Sequence, residues 1–336
     1  MRLSRVLALT TCALTALAGA SSAQAASITG AGSSFAAPLY DAWAASVKKA
    51  GGPEVNYQSV GSGAGQNQII ARTVDFGASD APVAGAKLAA NKLYQFPTAM
   101  GGIVVIVNIP GVKSGVLKLN GATLAGLYDG SITEWDDPRI EALNPGLKLP
   151  DSDVAPVHRA DASGTTFVFT SYLSKVSPNW KQKFGASTSI SWAGGAGARG
   201  NDGVAASVKA TEGGIGYVEY AYANRNHLTV TELEDHDGEY VKPDIGSFTA
   251  AAKGADWAHA DHYAVDLLDG PGKGAWPIVA ATFVLVPTNP TNATQARAVK
   301  DFFTFGLEKG DSDALALDYV MLPASVKSEI LAGWPK

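Results

Sequence analysis

The sequence predicts an α/β protein built from two lobes, and three observations support this fold class. Apolar strand-like runs alternate with amphipathic helical segments along most of the chain. Two long runs, Ile103–Asn108 and Ala280–Val286, are near-continuous and rich in β-branched residues, as is typical of central strands covered on both faces. A chain of 336 residues is also long for one compact core and suits two lobes.

The first 25 residues have the organisation of a secretory signal peptide. A short basic start, Met1–Arg5, precedes the apolar run Val6–Ala20, and Ala23-Gln24-Ala25 matches the small-x-small cleavage pattern. The run is too short to span a bilayer comfortably. We expect cleavage before Ala26. The one cysteine, Cys12, lies in this leader behind too short an apolar run to favour lipidation, so no disulfide is expected in the mature chain.

The charge balance excludes some partners. Loss of Arg2 and Arg5 with the leader takes the 26 basic residues to 24, against 31 acidic residues, and gives a net charge of −7. An acidic chain does not attract nucleic acid or an anionic membrane through its overall field. After the leader, no segment is long and apolar enough to be transmembrane. Any anion must therefore be held by local geometry.

The first lobe begins with a strand, a glycine-rich turn and a helix, in "SITGAGSSF" and the residues after it. One face of this helix carries Phe35, Leu39, Tyr40, Trp43 and Val47. "EVNYQSVGSGAGQNQIIA" repeats the plan, with a strand through Tyr57, a turn at Gly61–Gly65 and a helix towards Arg72. "VDFGASDAPV" predicts a buried strand that ends in a polar turn, and Gly101–Pro110 the central strand.

The second lobe repeats the α/β alternation. "DVAPVHRADASGTTFVFTSYLSKV" predicts strand, turn and helix, "GNDGVAASV" opens another helix, and "GGIGYVEYAYA" is a strand followed by a helix. In the simplest topology the chain leaves the first lobe along Ile103–Asn108 and returns along Ala280–Val286. We expect lobe one to comprise residues 26–104 and 280–336, and lobe two residues 105–279. Two lobes joined by two strands enclose a cleft, a usual place for a ligand.

Three turns share the form of a strand, a Ser/Thr/Gly turn and a helix start, namely Gly32-Ser33-Ser34, Gly61-Ser62-Gly63 and Ser163-Gly164-Thr165. Helix starts expose unpaired N–H groups and a partial positive charge, which attract anions. The hydroxyls are equally suited to capping their own helices. No Gly-Lys-Ser/Thr follows the glycines, so none of the three is a nucleotide phosphate loop. Both an anion site and simple capping stay open at this level.

Charged residues near these turns suggest two further roles. Arg159 and Asp161 are two residues apart, so in an extended segment both side chains point the same way and the acid could orient the guanidinium. A purely structural ion pair is the alternative. Asp80 ends a buried strand, where an open α/β sheet places ligand contacts. An ionised carboxylate only accepts hydrogen bonds, so it would favour an anion that carries a proton; a lone turn aspartate is otherwise a cap.

Enzymatic motifs are weak in this sequence. No G-x-S-x-G nucleophile motif is present. His259, Asp261 and His262 form a local cluster, but no third ligand with zinc-type spacing accompanies it. "DHDGE", Asp235–Glu239, lacks the full calcium-loop spacing and indicates an acidic turn. Hydrolysis of a phosphate ester usually needs a nucleophile or a metal pair, and neither is visible.

The motifs then show a resemblance to a known family. "ITGAGSSFAAPLY", "VNYQSVGSGAG", "VDFGASDAPV", "FPTAMGGIVVIVNIPG", "NPGLKLP", "RADASGTTFVFTSYL", "GNDGVAASV", "GYVEYAYA", "KGADW" and "AWPI" occur in this order. Together they resemble the periplasmic phosphate-binding protein of the ABC-type high-affinity phosphate uptake system, over nearly the whole mature chain. The resemblance implies a type II periplasmic-binding-protein fold, with two doubly wound α/β domains, a two-strand hinge and a ligand cleft between them.

The resemblance also assigns a site for inorganic phosphate. It implies ligand contacts from one lobe through Ser34, Phe35, Ser62 and Asp80, with Asp80 accepting the phosphate proton. The other lobe contributes Arg159, oriented by Asp161, together with Ser163, Gly164 and Thr165. Ser34 replaces a threonine common in the family and keeps its hydroxyl. His158 replaces a second arginine that is common there, and we assign it no ligand role.

The function implied is binding of inorganic phosphate in the periplasm and delivery to an inner-membrane ABC permease, without catalysis, metal or cofactor. The family expectation is a monomer. Two alternatives stay open: an exported phosphate-ester hydrolase that uses the same anion site, and a binding protein for another tetrahedral oxyanion such as sulfate or molybdate.

Overall fold

The computed structural model describes residues 26–335, so the predicted leader and Cys12 lie outside the described residues. The chain begins with four strands and three helices. The strands are β1 (Ser27–Gly32), β2 (Glu54–Ser59), β3 (Phe76–Ser79) and β4 (Leu93–Asn108). The helices are α1 (Ala37–Lys49), α2 (Ser62–Ile70) and α3 (Gly85–Ala90).

The middle of the chain forms a second α/β region. Its strands are β5 (Lys118–Leu119), β6 (Ala155–Arg159), β7 (Ala196–Ala198), β8 (Gly214–Glu219), β9 (Thr229–Val230), β10 (Glu232–Glu234) and β11 (Tyr240–Val241). Its helices are α4 (Gly121–Asp129), α5 (Pro138–Glu141), α6 (Gly164–Val176), α7 (Pro178–Lys183), α8 (Gly200–Ala210), α9 (Tyr220–Arg225) and α10 (Ile245–Ala252). Short 3₁₀ turns follow at Trp257–His259 and Asp261–Tyr263. The last part contains β12 (Val279–Pro287), α11 (Ala293–Lys309), α12 (Asp311–Leu315) and α13 (Ala324–Ala332).

One long strand joins the two halves of the main sheet. The strand order is β2-β1-β3-β12-β4-β8-β6-β7, with β9 also paired to β4. Leu93–Gly102 of β4 pairs with β12, whereas Ile103–Asn108 pairs with β8. At the junction the N–H of Ile103 donates to the carbonyl of Ile278 at 2.8 Å. The two-lobed α/β fold expected from the sequence is therefore present, with two chain segments side by side between the lobes.

Strand β4 starts earlier than predicted, at Leu93 instead of Gly101. The first part of the strand contains Gln95, Pro97 and Thr98, which interrupt the apolar pattern that predicted the rest. The register of β12 against β4 shifts between Thr282 and Phe283, opposite Pro97. Because proline cannot donate a ladder hydrogen bond, it is tolerated at such an irregularity.

The glycine turn predicted at Gly61–Gly65 is shorter in the structure. Helix α2 starts at Ser62, so Gly63 and Gly65 are helical, and the turn residue is Gly61 with φ of 92°. A Cβ on Gly65 would lie 2.5 Å from the carbonyl oxygen of Ala31. The glycine therefore serves close packing of α2 on β1 rather than the turn, and sequence spacing alone does not separate these two uses.

The predicted apolar face of the first helix is confirmed, because Leu39, Tyr40, Trp43 and Val47 are all buried in the core. Trp43 Nε1 donates to the carbonyl of Gly310 at 3.0 Å, so the face packs against the C-terminal helices. Within residues 26–335, the structure contains no helix with the length and apolar character needed to cross a membrane.

Candidate anion-binding site

The starts of α2 and α6 meet across the cleft between the lobes. A Cβ built on Gly164, the first residue of α6, would lie 2.4 Å from Ser62 Oγ and 2.6 Å from Asp80 Oδ2. Nearby, the N–H of Gly63 donates to the carbonyl of Ala162 at 2.9 Å. The lobes are therefore in contact at this point. Only a residue without a side chain fits at position 164, which explains a glycine there.

Backbone donors surround this contact. Several N–H groups at these helix starts have no hydrogen-bond acceptor among the described residues, including those of Ser34, Phe35, Ser62, Gly164 and Thr165. All five of these residues are buried. Buried N–H groups that lack a partner are costly unless a ligand or water satisfies them. These donors are therefore suited to bind an acceptor such as an anion.

The four predicted hydroxyl groups are arranged as donors towards the cleft. Each hydroxyl oxygen already accepts a protein hydrogen bond: Ser34 from Asn201 N (3.2 Å) and Nδ2 (2.9 Å), Ser62 from Asp80 N (3.2 Å), Ser163 from Thr166 N (3.1 Å) and Thr165 from Arg159 Nη1 (3.3 Å). A hydroxyl has one proton and two lone pairs. Among the described residues, the O–H groups of Ser34, Ser163 and Thr165 have no acceptor, whereas the hydroxyl of Ser62 lies beside the Asp80 carboxylate. Ser163 thus caps α6, as one of the two interpretations of its turn predicted, and this cap does not exclude a ligand contact through its O–H.

Asp80 supplies an acceptor among these donors. Its side chain is 2% exposed. Oδ1 accepts hydrogen bonds from the hydroxyl of Ser33 and from Thr282 Oγ1, the latter at 2.8 Å. Oδ2 has no hydrogen-bond partner among the described residues and faces Gly164. Burial raises the pKa of Asp80 to about 6, opposed by hydrogen bonds from Ser33 and Thr282 and by the charge of Arg159. The carboxylate is thus held by one oxygen and presents the other.

Arg159 and Asp161 form a bidentate pair, as their spacing suggested. Arg159 Nε donates to Asp161 Oδ1 at 2.8 Å, and Nη2 donates to Oδ2 at 2.5 Å. The N–H of Gly200 also donates to Asp161, at 3.1 Å. Burial raises the pKa of Asp161, but hydrogen bonding and charge from Arg159 outweigh it, and the pKa lies below its usual value. The acid fixes one edge of the guanidinium and leaves Nη1 directed towards Thr165.

Residues outside the predicted set complete the site. Ser33 and Thr282 hold Asp80, Asn201 holds the hydroxyl of Ser34, and Tyr222 Oη donates to the carbonyl of Ser34 at 2.7 Å. Thr282 is the one polar residue within β12, and this interruption of an apolar strand is a signal that could have identified it. Asn201 and Tyr222 reach the site from α8 and α9, and nothing in the local sequence indicates that approach.

Other polar clusters lie away from the site. The His158 ring stacks on Trp192 with 4.9 Å between centroids, in keeping with its exclusion from the ligand set. The side chains of His259 and His262 are 85% and 44% exposed, and each lies within ion-pair distance of a neighbouring aspartate, Asp256 and Asp261 respectively. Asp235 Oδ1 accepts from the N–H groups of Asp237 and Glu239, which forms the tight turn between β10 and β11. Glu134, Asp136 and Asp151 cluster at the surface, as acidic groups commonly do without an ion.

The fold and the donor-rich cleft define a two-lobed binding protein. Residues 18–309 match the PBP superfamily domain. Solved structures of the same fold include a high-affinity periplasmic phosphate-binding protein (PfluDING) bound with phosphate, with 22% identity, a TM-score of 0.72 and coverage of 91% of this chain and 93% of that chain. A phosphate-binding protein from Stenotrophomonas maltophilia has 20% identity, a TM-score of 0.70 and the same coverage values.

Sequence relatives define the family more closely. The phosphate-binding protein PstS of Xylella fastidiosa (strain Temecula1) is 47% identical over 307 residues, which cover 91% of this chain and 84% of the relative. That of Haemophilus influenzae is 47% identical over 312 residues, or 93% of both chains. The chain belongs to the PstS family of phosphate-binding proteins.

Proposed function

We propose that the protein binds inorganic phosphate between its lobes and delivers it to an ABC permease for import. The observation that carries this proposal is the arrangement of donors around Asp80 Oδ2, an acceptor without a protein partner. Phosphate at neutral pH has several acceptor oxygens and at least one P–OH proton, so it complements such a set. Membership of a family whose relatives are named phosphate-binding proteins supports the assignment.

Each lobe contributes one half of the phosphate site in this proposal. Lobe one, residues 26–104 and 280–336, binds through the backbone and hydroxyl of Ser34, the N–H of Phe35, Ser62 and Asp80. Lobe two, residues 105–279, binds through Arg159 and the start of α6, where Ser163, Gly164 and Thr165 offer N–H and O–H groups. The partial positive charge of the helix start adds to the charge of Arg159. Because only the closed state contacts the ligand from both sides, phosphate favours closure.

Asp80 selects among anions in this proposal. An ionised carboxylate can accept the P–OH of HPO₄²⁻ or H₂PO₄⁻, but it faces a fully ionised sulfate with no proton between the two oxygens. Burial strengthens that repulsion because little water screens it. The protein therefore binds phosphate and arsenate and rejects sulfate, which argues against the sulfate alternative.

The cellular setting follows from the leader and the family. The leader directs export, and the mature protein works in the periplasm as a monomer that meets the inner-membrane permease. No metal or organic cofactor takes part in binding. In this proposal the site binds phosphate without catalysis, in line with a family whose relatives are named phosphate-binding proteins.

Titration calorimetry with phosphate, arsenate and sulfate at neutral pH tests the proposal. We expect tight binding of phosphate and arsenate and no detectable heat from sulfate. A chromogenic phosphate ester, with and without divalent metal, tests the hydrolase alternative. Metal-dependent turnover that is lost in Arg159→Ala would overturn the proposed function, and so would an absence of phosphate binding.

A further inference from the structure

Thr282 is the polar residue of the apolar strand β12, and the strand register sets it opposite Asp80. Strand β12 pairs antiparallel with β3, and Phe283 lies opposite Ser79. The next pair along the two chains is therefore Thr282 and Asp80, the residue that follows β3. Side chains of directly opposed residues project from the same face of a sheet. The Thr282 hydroxyl accordingly donates to Asp80 Oδ1 at 2.8 Å.

An irregularity in the neighbouring strand β4 supports the position of Thr282. Strand β4 has one extra residue, Thr98, between the pairs that it forms with Thr282 and Phe283. Thr98 Oγ1 donates to the carbonyl of Thr282 at 3.3 Å and lies 2.9 Å from the Tyr40 hydroxyl. Bulges of this kind re-aim side chains beside functional sites. The backbone of Thr282 is thus held from β4, while its side chain reaches Asp80 beside β3.

Ser33 supplies a second hydroxyl donor to the same oxygen of Asp80. The oxygen of Ser33 accepts the N–H of Ala36 at 3.2 Å, just before α1, and its own N–H donates to the carbonyl of Ala78 at 3.0 Å. Ser33 and Thr282 are both fully buried. Both donors are therefore fixed within lobe one, and neither contact crosses the cleft.

Two donors on one oxygen make the two oxygens of the Asp80 carboxyl unequal. Each oxygen of an ionised carboxylate has about two lone-pair positions. The hydroxyls of Ser33 and Thr282 fill those of Oδ1, whereas Oδ2 faces Gly164 at the start of α6. A proton on Oδ1 would displace one of the two donors. Any proton that the carboxyl shares with a ligand, or gains in acid, therefore lies on Oδ2 and points into the anion site.

We propose that Thr282 is a positioning residue that determines anion specificity: together with Ser33 it fills Oδ1, keeps Asp80 charged and leaves Oδ2 to accept the ligand proton. A buried carboxylate that loses one hydroxyl donor is less stable in its charged form. Without the Thr282 hydroxyl, neutral Asp80 is therefore more populated. Neutral Asp80 donates from Oδ2, so it accommodates sulfate. The inference rests on the proposed phosphate-binding function.

The groups around Asp80 agree with this role. Burial raises the pKa of Asp80 to about 6, and hydrogen bonds from Ser33 and Thr282, the charge of Arg159 and a hydrogen bond from Ser62 lower it. The other titratable groups that face Asp80 come from the core of lobe one, from β8 and from the C-terminal segment. They are Tyr40, Tyr57, Glu219 and Tyr319. These four are unchanged in every variant below, so a difference between variants reports Asp80.

The test is sulfate binding by the native protein and Thr282→Val, measured by calorimetry from about pH 5 to about pH 9. Sulfate stays fully ionised over this range, so the midpoint of its pH dependence reports the protein. Valine keeps the shape of threonine without the hydroxyl. Loss of one hydrogen bond to a charged group is expected to raise the midpoint, near pH 6 in the native protein, by about one to two units. At about pH 8 the variant should then bind sulfate at least about tenfold more tightly than the native protein.

Two further variants control for the substitution itself. Thr282→Ser keeps the hydroxyl and should restore the native midpoint. Thr231→Val removes a different buried threonine hydroxyl, whose Oγ1 has no hydrogen-bond partner among the described residues. Its midpoint should equal that of the native protein, because Thr231 lies between β9 and β10, away from Asp80.

The outcomes separate this inference from the proposed function. A raised midpoint in Thr282→Val, with native midpoints in the two controls, supports the inference. Equal midpoints in Thr282→Val and the native protein, an equal rise in Thr231→Val, or no sulfate binding by either protein at any pH overturns it and leaves phosphate binding intact. Absence of phosphate binding by the native protein overturns the proposed function instead. If Thr282→Val fails to fold, Ser33→Ala replaces it: loss of the other donor to Oδ1 should raise the midpoint in the same way, and an unchanged midpoint contradicts the inference.

Discussion

The two halves of the anion site are built differently. In lobe two, Arg159 is fixed by Asp161, and Ser163 and Thr165 are held by Thr166 and Arg159, all within the same lobe. In lobe one, Asp80 is fixed internally, whereas the Ser34–Phe35 loop is held from both lobes, with Tyr319 Oη of lobe one donating to the carbonyl of Phe35 at 2.5 Å. Its Ser34 side chain and carbonyl are held by Asn201 and Tyr222 from the opposite lobe.

This difference distinguishes a preorganised half-site in lobe two from a half-site in lobe one that depends on closure of the lobes. We expect the lobe-two half to keep its side-chain donors aligned whether the cleft is open or closed, because the hydrogen bonds that hold Arg159, Ser163 and Thr165 lie within that lobe. The side chain and carbonyl of Ser34 gain their partners Asn201 and Tyr222 only when the lobes meet. We therefore expect phosphate to engage Arg159 and the start of α6 first, and the loop to complete the site on closure.

The largest expected effect comes from breaking the preorganised half with Arg159→Ala. The change removes the one cation of the predicted site and leaves Asp161 without its partner. Removal of a charged hydrogen-bonding partner from a buried contact with an ionic ligand costs about 2–5 kcal/mol of binding free energy, so we expect phosphate affinity to fall by about 30- to 5,000-fold. Calorimetry measures this directly.

Arg139→Ala is the matched control for that change. Arg139 pairs with Asp137 at the same two-residue spacing, but its side chain is 51% exposed. Such surface pairs contribute little, so phosphate affinity should stay unchanged. A similar loss of affinity in Arg139→Ala and Arg159→Ala would show that the effect of Arg159→Ala is not specific to the phosphate site.

Gly164→Ala tests closure itself. The new Cβ would lie 2.4 Å from Ser62 Oγ, so the lobes cannot meet as they do here. Overpacking of about 1–3 kcal/mol predicts an affinity loss of about 10–100-fold, with thermal stability of the ligand-free protein retained. Gly203→Ala in α8 is the control, because its Cβ meets only ordinary contacts from 3.5 Å. Equal affinity for Gly164→Ala and the native protein would contradict the contact between the lobes.

Ser163→Ala should have a smaller effect, which separates capping from ligand binding. It removes the cap on Thr166 N, at about 1 kcal/mol of stability. It also removes one donor to a charged ligand, which predicts about a tenfold loss of affinity. Ser177→Ala removes the equivalent cap from Trp180 N in α7, away from the site. It should lower the melting temperature similarly with no change in phosphate affinity; a matching affinity loss would reduce Ser163 to a structural role.

The sequence predicted those parts of the site that depend on neighbours in the chain. The Arg159–Asp161 spacing, the three turns and Asp80 at the end of a buried strand could all be recognised locally. Asn201 and Tyr222 could not, because they act on Ser34 from 167 and 188 residues further along the chain.

The sequence did not predict the early start of β4, because buried polar residues interrupt the apolar pattern there. Polar Gln95 and Thr98 face interior partners, with Gln95 accepting the N–H of Val83 and Thr98 bonding Tyr40. Buried polar residues with such partners break the apolar pattern without breaking the strand. Hydrophobic periodicity therefore located the centre of β4 and not its beginning.

The most direct test of the account is sulfate binding by Asp80→Asn at about pH 8, measured by calorimetry beside the native protein. The pKa of Asp80, raised to about 6, keeps the native carboxyl ionised at this pH, so sulfate is excluded. As pH falls through about 6 the carboxyl gains a proton and can donate, so native sulfate binding should appear under acid conditions. In Asp80→Asn, the amide donates at every pH. We predict that the variant binds sulfate at pH 8 and still binds phosphate, with less discrimination between them. Continued exclusion of sulfate by Asp80→Asn would contradict the assignment of anion selection to Asp80.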